Sequence, residues 1–181
     1  MNIFYLDHDV YKCAEMHNNK HTVKMILEYA QLLSTAHRFL DGTLIDGYSK
    51  TGRKQKRYVL SDERDSILYT ATHINHPSSI WVRKSESHYR WLFTLFIELM
   101  REYNYRYGKI HACMRLVGEL NKPPKNIEFG NGFDEPTPAM PDDYKVAGDS
   151  IQSYKNYYIG DKKRMFSWKK RDVPAWTIDA N

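Results

Sequence analysis

The stretch KHTVKMILEYAQLLSTAHRFLDG, residues 20–42, decides how the chain is read. Its residues are good helix formers; Asn18 or Asn19 ahead of it offers a cap, and Asp41-Gly42 behind it a stop. At about 100° per residue, His17, Lys20, His21, Lys24, Glu28, Gln31 and Thr35 fall within about 60° of one line. Val23, Met25, Ile26, Leu27, Tyr29, Ala30, Leu32 and Leu33 take nearly all of the remaining surface. An ordinary surface helix shows water a broad face. One with so narrow a polar stripe is expected to be packed on most sides, its seam turned into a cleft.

The rest of the chain arranges itself around that helix. Residues 3–6 (IFYL) suit a short strand or an extended arm, and Asp9 can cap a short helix reaching Met16. Residues 43–66 are polar and turn-rich, with Lys50, Arg53, Lys54, Lys56 and Arg57 in eight positions, which reads as an exposed basic loop or hairpin. After Asn75-His76-Pro77 helix resumes over 79–84 and again over 87–107, with Gly108 as stop; a further helix is expected over 110–120. A Pro/Gly loop, 121–140, wraps the surface. Pro141 can open the last long helix, to Ile159, and the tail 161–181 interleaves cations with Phe166, Trp168 and Trp176. The expected fold is mainly α: one domain over 1–181, a compact helical bundle with long surface loops and an extended N-terminal arm.

Composition narrows the function. The 181 residues hold 27 Lys plus Arg against 22 Asp plus Glu, a net +5 that favours a polyanionic partner. At 41% hydrophobic and 27% charged the chain is neither disordered nor fibrous. Its 14 tyrosines suit stacking on bases, and equally an aromatic core. Cys13 and Cys113 form no C-x-x-C spacing, so neither a disulfide framework nor a cysteine zinc site is encoded, and a reducing cytoplasm is expected. The opening MNIFYLDHD lacks a signal-peptide pattern and the densest apolar run, 91–97, is far short of a bilayer span, so no membrane role is expected.

Lys24 and Glu28 lie one turn apart on the seam. Partly desolvated, such a pair provides an amine beside a carboxylate, suited to acid–base work or Schiff-base formation; in water it is an ordinary helical ion pair. His17 and His21, and His73 and His76, have the spacing of helical metal ligands, but HNNKH lacks the glutamate of HExxH, so no metal and no cofactor are expected. The segment THINHPSSIWVRKS, 72–85, is dense in groups that recognise phosphate or bases: Asn75, His76, Trp81 and Arg83 among them. In the final helix Tyr154 and Tyr157 suit stacking on an extruded nucleotide, or packing against other helices.

Residues 20–42, HINHPSSIWVRKSESHYRWL (73–92), MPDDYK (140–145) and YKNYY (154–158) together resemble a family of small proteins of tailed bacteriophages. More distantly, the layout is similar to the pyrimidine-dimer DNA glycosylases of the phage endonuclease V type: Ala14-Glu15-Met16-His17 resembles that family's approach to its catalytic helix, Asn75-His76-Pro77 an Asn-His-Pro of bacterial relatives, and 154–158 the aromatic C-terminal cluster. Aligning His17 with the family histidine puts Lys24 where the catalytic glutamate stands and Glu28 one turn later. The family also uses an α-amino group freed by removal of Met1, whereas Met1 before the bulky Asn2 is retained. The resemblance implies a DNA-acting enzyme in the cytoplasm of an infected bacterium, a glycosylase or glycosylase/lyase on a damaged or modified base. Lys24, Glu28 and His21 are then the expected catalytic groups, and His17, Lys20, Arg53, Lys54, Asn75, His76, Trp81, Arg83, Tyr154 and Tyr157 the expected DNA contacts. A base-modifying transferase of a DNA hypermodification pathway and a non-catalytic DNA-binding or host-inhibitory protein remain the alternatives.

Overall fold

The computed structural model describes residues 1–48, 51–130 and 132–178, and it is mainly α. Asp9, accepting from the Tyr11 and Lys12 amides, caps α1 (Val10–Met16). Asn18 caps α2 (Asn19–Asp41) by accepting from the His21 amide. At the far end the Gly42 amide donates to the Arg38 carbonyl at 3.0 Å, and a Cβ there would stand 2.4 Å from that oxygen, so only glycine closes the helix this tightly. The basic segment is a hairpin: β1 (Thr43–Tyr48) and β2 (Lys54–Val59) pair antiparallel, Thr43 opposite Val59 and Tyr48 opposite Lys54. Lys50 of the basic cluster lies outside the described residues, as does the end of the tail, 179–181.

A single turn, α3 (Arg64–Ile67), leads to α4 (Pro77–Val82), which His76 caps by accepting from the Ser78 amide. The central helix α5 (Glu86–Tyr107) packs along α2 and ends at Gly108 in the left-handed region, φ 65°. Two expectations need correction. The helix over 110–120 is a 3-10 segment, Ala112–Leu116, followed by one α turn, α6 (Val117–Leu120); it starts only after His111, which is extended and caps it by accepting from the Cys113 amide. Pro141 opens only a 3-10 turn, Asp142–Tyr144, because Lys145 is already extended and Val146 then bridges to Asp149, and α7 (Ser150–Asp161) starts afresh from its Asp149 cap.

The core is one aromatic-rich cluster between α2, α5 and α7, and residues 3–6 run through it fully buried and extended. They form a core element rather than an outlying arm. Lacking a strand partner, their backbone bonds to side chains: the Phe4 amide donates to Tyr29 Oη and the Leu6 amide to Cys13 Sγ. The tail packs back over α1, with Trp168 Nε1 donating to the Met16 carbonyl and Arg171 paired to Glu102. In the 121–140 loop the Asp134 carbonyl accepts from Trp81 Nε1 and its carboxylate pairs with His88 and Lys84. No helix among the described residues is long and apolar enough to cross a membrane.

Candidate active site

The seam of α2 is less uniform than its angles suggest. His17, His21 and Thr35 are buried, Glu28 and Gln31 half-buried, and Lys20 and Lys24 exposed; Val23 and Leu27, expected to be packed, are 42% and 39% exposed. Toward the N-terminal half of the helix the seam opens on two cavities that share His21, Lys24 and Lys162. The smaller, about 340 Å³, is walled by Glu28, Phe4, Met140 and Tyr157 and by the first residues of the chain. The larger, about 640 Å³, presents Lys20, Lys24, Lys162 and Arg164, with no carboxylate among the described residues lining it. Both are open clefts rather than enclosed pockets.

Glu28, 14% exposed, sits between two amines. Its Oε1 lies 3.0 Å from Lys24 Nζ and its Oε2 4.0 Å from the terminal amine of Met1. Lys24 itself is 69% exposed, so its ammonium is anchored at one side and otherwise open. His76 stands close by: burial first, then the terminal amine, push its pKa down, and Ser78 Oγ donates to the Met1 carbonyl. Lys162 Nζ lies 4.4 Å from the Tyr157 ring centroid and 2.5 Å from Asp161. Burial opposes its charge, but the bonds to Asp161 and Tyr157 prevail and its pKa rises.

Two histidines of the seam differ in what remains of their hydrogen-bonding capacity. His17 Nδ1 lies 2.7 Å from the Cys13 carbonyl, which can only accept, so Nδ1 carries the proton. Its Nε2 then accepts from Tyr29 Oη, whose own oxygen takes the Phe4 amide; both nitrogens are used, and burial lowers the pKa to about 4. His21 Nδ1 shares a 2.5 Å hydrogen bond with Tyr158 Oη while Phe4 stacks on its ring at 4.3 Å. Its Nε2 has no hydrogen-bond partner among the described residues, and the ring contributes to the walls of both cavities. Burial, then the charges of His17, Lys162 and Lys24, lower its pKa to about 3, so the ring stays neutral at ordinary pH and offers a hydrogen bond rather than a charge.

The structure thus brings together Lys24, Glu28, His21, Lys20 and Tyr157 of the expected residues. It sets others apart. His17, Trp81 and Tyr154 are fully buried with their polar atoms bonded inside, Tyr154 Oη to the Thr137 carbonyl, so the expectation that they face a nucleic acid is corrected: their rings complete the core. Arg83 donates to the Ile74 carbonyl and stacks on Phe39, 4.0 Å from its centroid. Asn75 is exposed and His76 caps α4. Arg53 and Lys54 are exposed on the hairpin, Lys54 3.7 Å from Asp46. Sequence reasoning missed Lys162 and Arg164, whose only signal was the basic run of the tail. Among the described residues no group of three or more His, Cys, Asp or Glu is arranged to hold a metal. The chain matches no protein-family model, no curated protein and no solved structure.

Proposed function

We propose that the chain is a phage enzyme that acts on DNA in the infected cell, with glycosylase or glycosylase/lyase chemistry on a damaged or modified base. The observation that carries the reading is Glu28: a largely enclosed carboxylate flanked by the amines of Lys24 and Met1 in the wall of a cavity that adjoins a basic trough. In this scheme the strand's phosphates lie along Lys20, Lys162 and Arg164, and the extruded nucleotide enters beside Glu28. A neutral amine attacks C1′; the C1′–N bond breaks, and its electron pair leaves with the base, which takes up a proton. The attacking nitrogen passes a proton to Glu28. Glu28 returns it to O4′ as the sugar ring opens, giving an iminium at C1′ that water hydrolyses to release the amine. His21 Nε2 is placed to hydrogen-bond the nucleotide or the water.

Borohydride reduction tests this without knowledge of the target base. Incubation with duplex carrying an abasic site and borohydride should give a stable one-to-one protein–DNA adduct, and peptide mass spectrometry would locate it on Lys24 or Met1. No adduct with any abasic duplex would end the mechanism. One observation favours a second reading, a non-catalytic DNA-binding protein: the basic hairpin is remote in sequence from Glu28 and strongly charged. That reading has function lost on hairpin charge reversal and untouched by Glu28→Gln.

A further inference from the structure

The hairpin is built in a way the helical body does not require. A strand lying on a core alternates buried and exposed residues, yet Thr43, Leu44, Ile45, Asp46 and Tyr48 of β1 and Lys54, Gln55, Lys56 and Arg57 of β2 are all exposed. These side chains reach water, and Tyr48, Gln55, Lys56 and Arg57 also line a cleft of about 370 Å³ with residues 70–74. Its root is held: Arg38 donates to the Tyr58 carbonyl, Phe39 packs on Tyr58 at 5.4 Å, and the Leu60 amide donates to Asp65. A two-stranded hairpin is marginal alone, so this rooting is what holds it together.

Its charge is as lopsided as its burial. Residues 43–59 contain five cations and one carboxylate, Asp46, so this short segment holds +4 of the chain's +5. An exposed two-stranded ribbon with Lys54 and Lys56 on one face and Arg57 on the other matches one polyanion in shape as well as in sign: the major groove of duplex DNA admits such a ribbon between two rows of phosphates. Single strands offer no groove. An acidic protein surface offers no pair of walls for the two faces.

Position adds a measure. The hairpin leaves α2 at Gly42, and Glu28 lies on the same helix. At about 1.5 Å per residue, α2 sets the root of the ribbon on the order of 21 Å from Glu28, the axial length of about six base pairs. We propose that the hairpin enters the groove of duplex DNA on one side of the reacting nucleotide, so that the substrate is double-stranded and needs an arm of about six base pairs or more on that side alone. This deepens, and rests on, the assignment of DNA to the Glu28 cavity.

The test measures binding of the full chain by fluorescence anisotropy to duplexes carrying a tetrahydrofuran abasic analogue, with one arm or the other shortened. Shortening one arm below about six base pairs should weaken binding by on the order of tenfold, and shortening the other should leave it unchanged. The triple substitution Lys54→Glu, Lys56→Glu and Arg57→Glu, on exposed ribbon positions that leave the core intact, should abolish that asymmetry and reduce the slope of log K against log salt by about two to three. Equal effects from both arms, or single strands or anionic vesicles bound as tightly as duplex, would overturn the inference. Borohydride trapping separates the two ideas. An adduct without arm asymmetry removes the ribbon and keeps the cavity; asymmetry without an adduct removes the chemistry and keeps the ribbon.

Discussion

The two ends of α2 carry the same kinds of residue and use them differently. At the C-terminal end, His37 Nε2 donates to Tyr89 Oη, which donates to the Leu120 carbonyl, and Nδ1 accepts from Arg64. Arg38, beside it, donates to the carbonyls of Tyr58, Asp65, Leu68 and Tyr69 and to the Asp65 carboxylate; Asp41 accepts from Arg64 and from the Lys125 and Asn126 amides. The hydrogen-bonding groups of these three side chains are taken up within the chain. At the N-terminal end His21 has a nitrogen to spare, Lys24 stands largely in solvent and Glu28 looks into a cavity. Polar residue type does not separate a site from a scaffold. Unfilled hydrogen-bonding capacity at a cavity wall does.

The largest expected effect treats both ends alike. His17, His21 and His37 are held neutral by burial, with pKa values lowered from 6.5 to about 4, about 3 and about 4. Unfolded, each titrates near 6.5, so below that pH the unfolded chain takes up protons that the native chain refuses. Their contribution is therefore complete above pH 6.5 and is lost as pH falls toward the native values. At about 1.36 kcal/mol per unit each is worth on the order of 3 kcal/mol, and the three together rival the whole stability of a domain. Circular dichroism should show acid unfolding in that window, and His37→Gln should remove about one proton from the uptake. Stability unchanged across the window would mean that these rings are not buried as described.

Next in size, and confined to the scaffold end, is Arg38→Met. It takes the Arg38 donor away from four carbonyls and leaves the Asp65 carboxylate with the Leu60 amide as its one donor among the described residues, at a cost of about 3–5 kcal/mol, which lowers Tm by about 10 °C. A shift within 2 °C of the parent, about 1 kcal/mol or less, would place Arg38 outside the scaffold.

What the sequence disclosed follows the same division. Caps at Asp9 and Asn18 and the stops at Gly42 and Gly108 were legible because each depends on a few neighbouring residues. The hairpin was legible as a basic turn-rich run, though its register was not. The start of α7 was misplaced because Pro141 is a good opening residue and nothing local weighed it against Gly148 and Asp149. At the site, the spacing of Lys24 and Glu28 put them side by side, but Lys162, Arg164 and the terminal amine arrive from opposite ends of the chain. Burial of Trp81 and Tyr154 was equally invisible, because a tyrosine or tryptophan suits a core and a stacking surface alike.

Glu28→Gln sharpens the contrast from the site end. It keeps the shape of the side chain and removes the charge that holds the two amines and moves the proton. Adduct formation should slow by on the order of a hundredfold or more, while Tm moves by no more than about 2 °C. Slowing together with a Tm loss as large as that of Arg38→Met would make Glu28 another member of the scaffold.

The smallest expected effect on stability is the most discriminating. Lys24 is exposed apart from its bond to Glu28, and a helical ion pair of this kind contributes about 0.3–0.5 kcal/mol, less in salt, so Lys24→Ala should leave Tm within about 2 °C. Its chemical effect divides cleanly. If the Lys24 amine attacks, Lys24→Ala abolishes the borohydride adduct although the fold is untouched. If the Met1 amine attacks, the adduct survives in Lys24→Ala and disappears when the terminal amine is acetylated. A fold loss of several kcal/mol with the adduct unchanged would reverse the assignment of Lys24, making it a structural group and leaving the Met1 amine beside Glu28 as the attacking nitrogen.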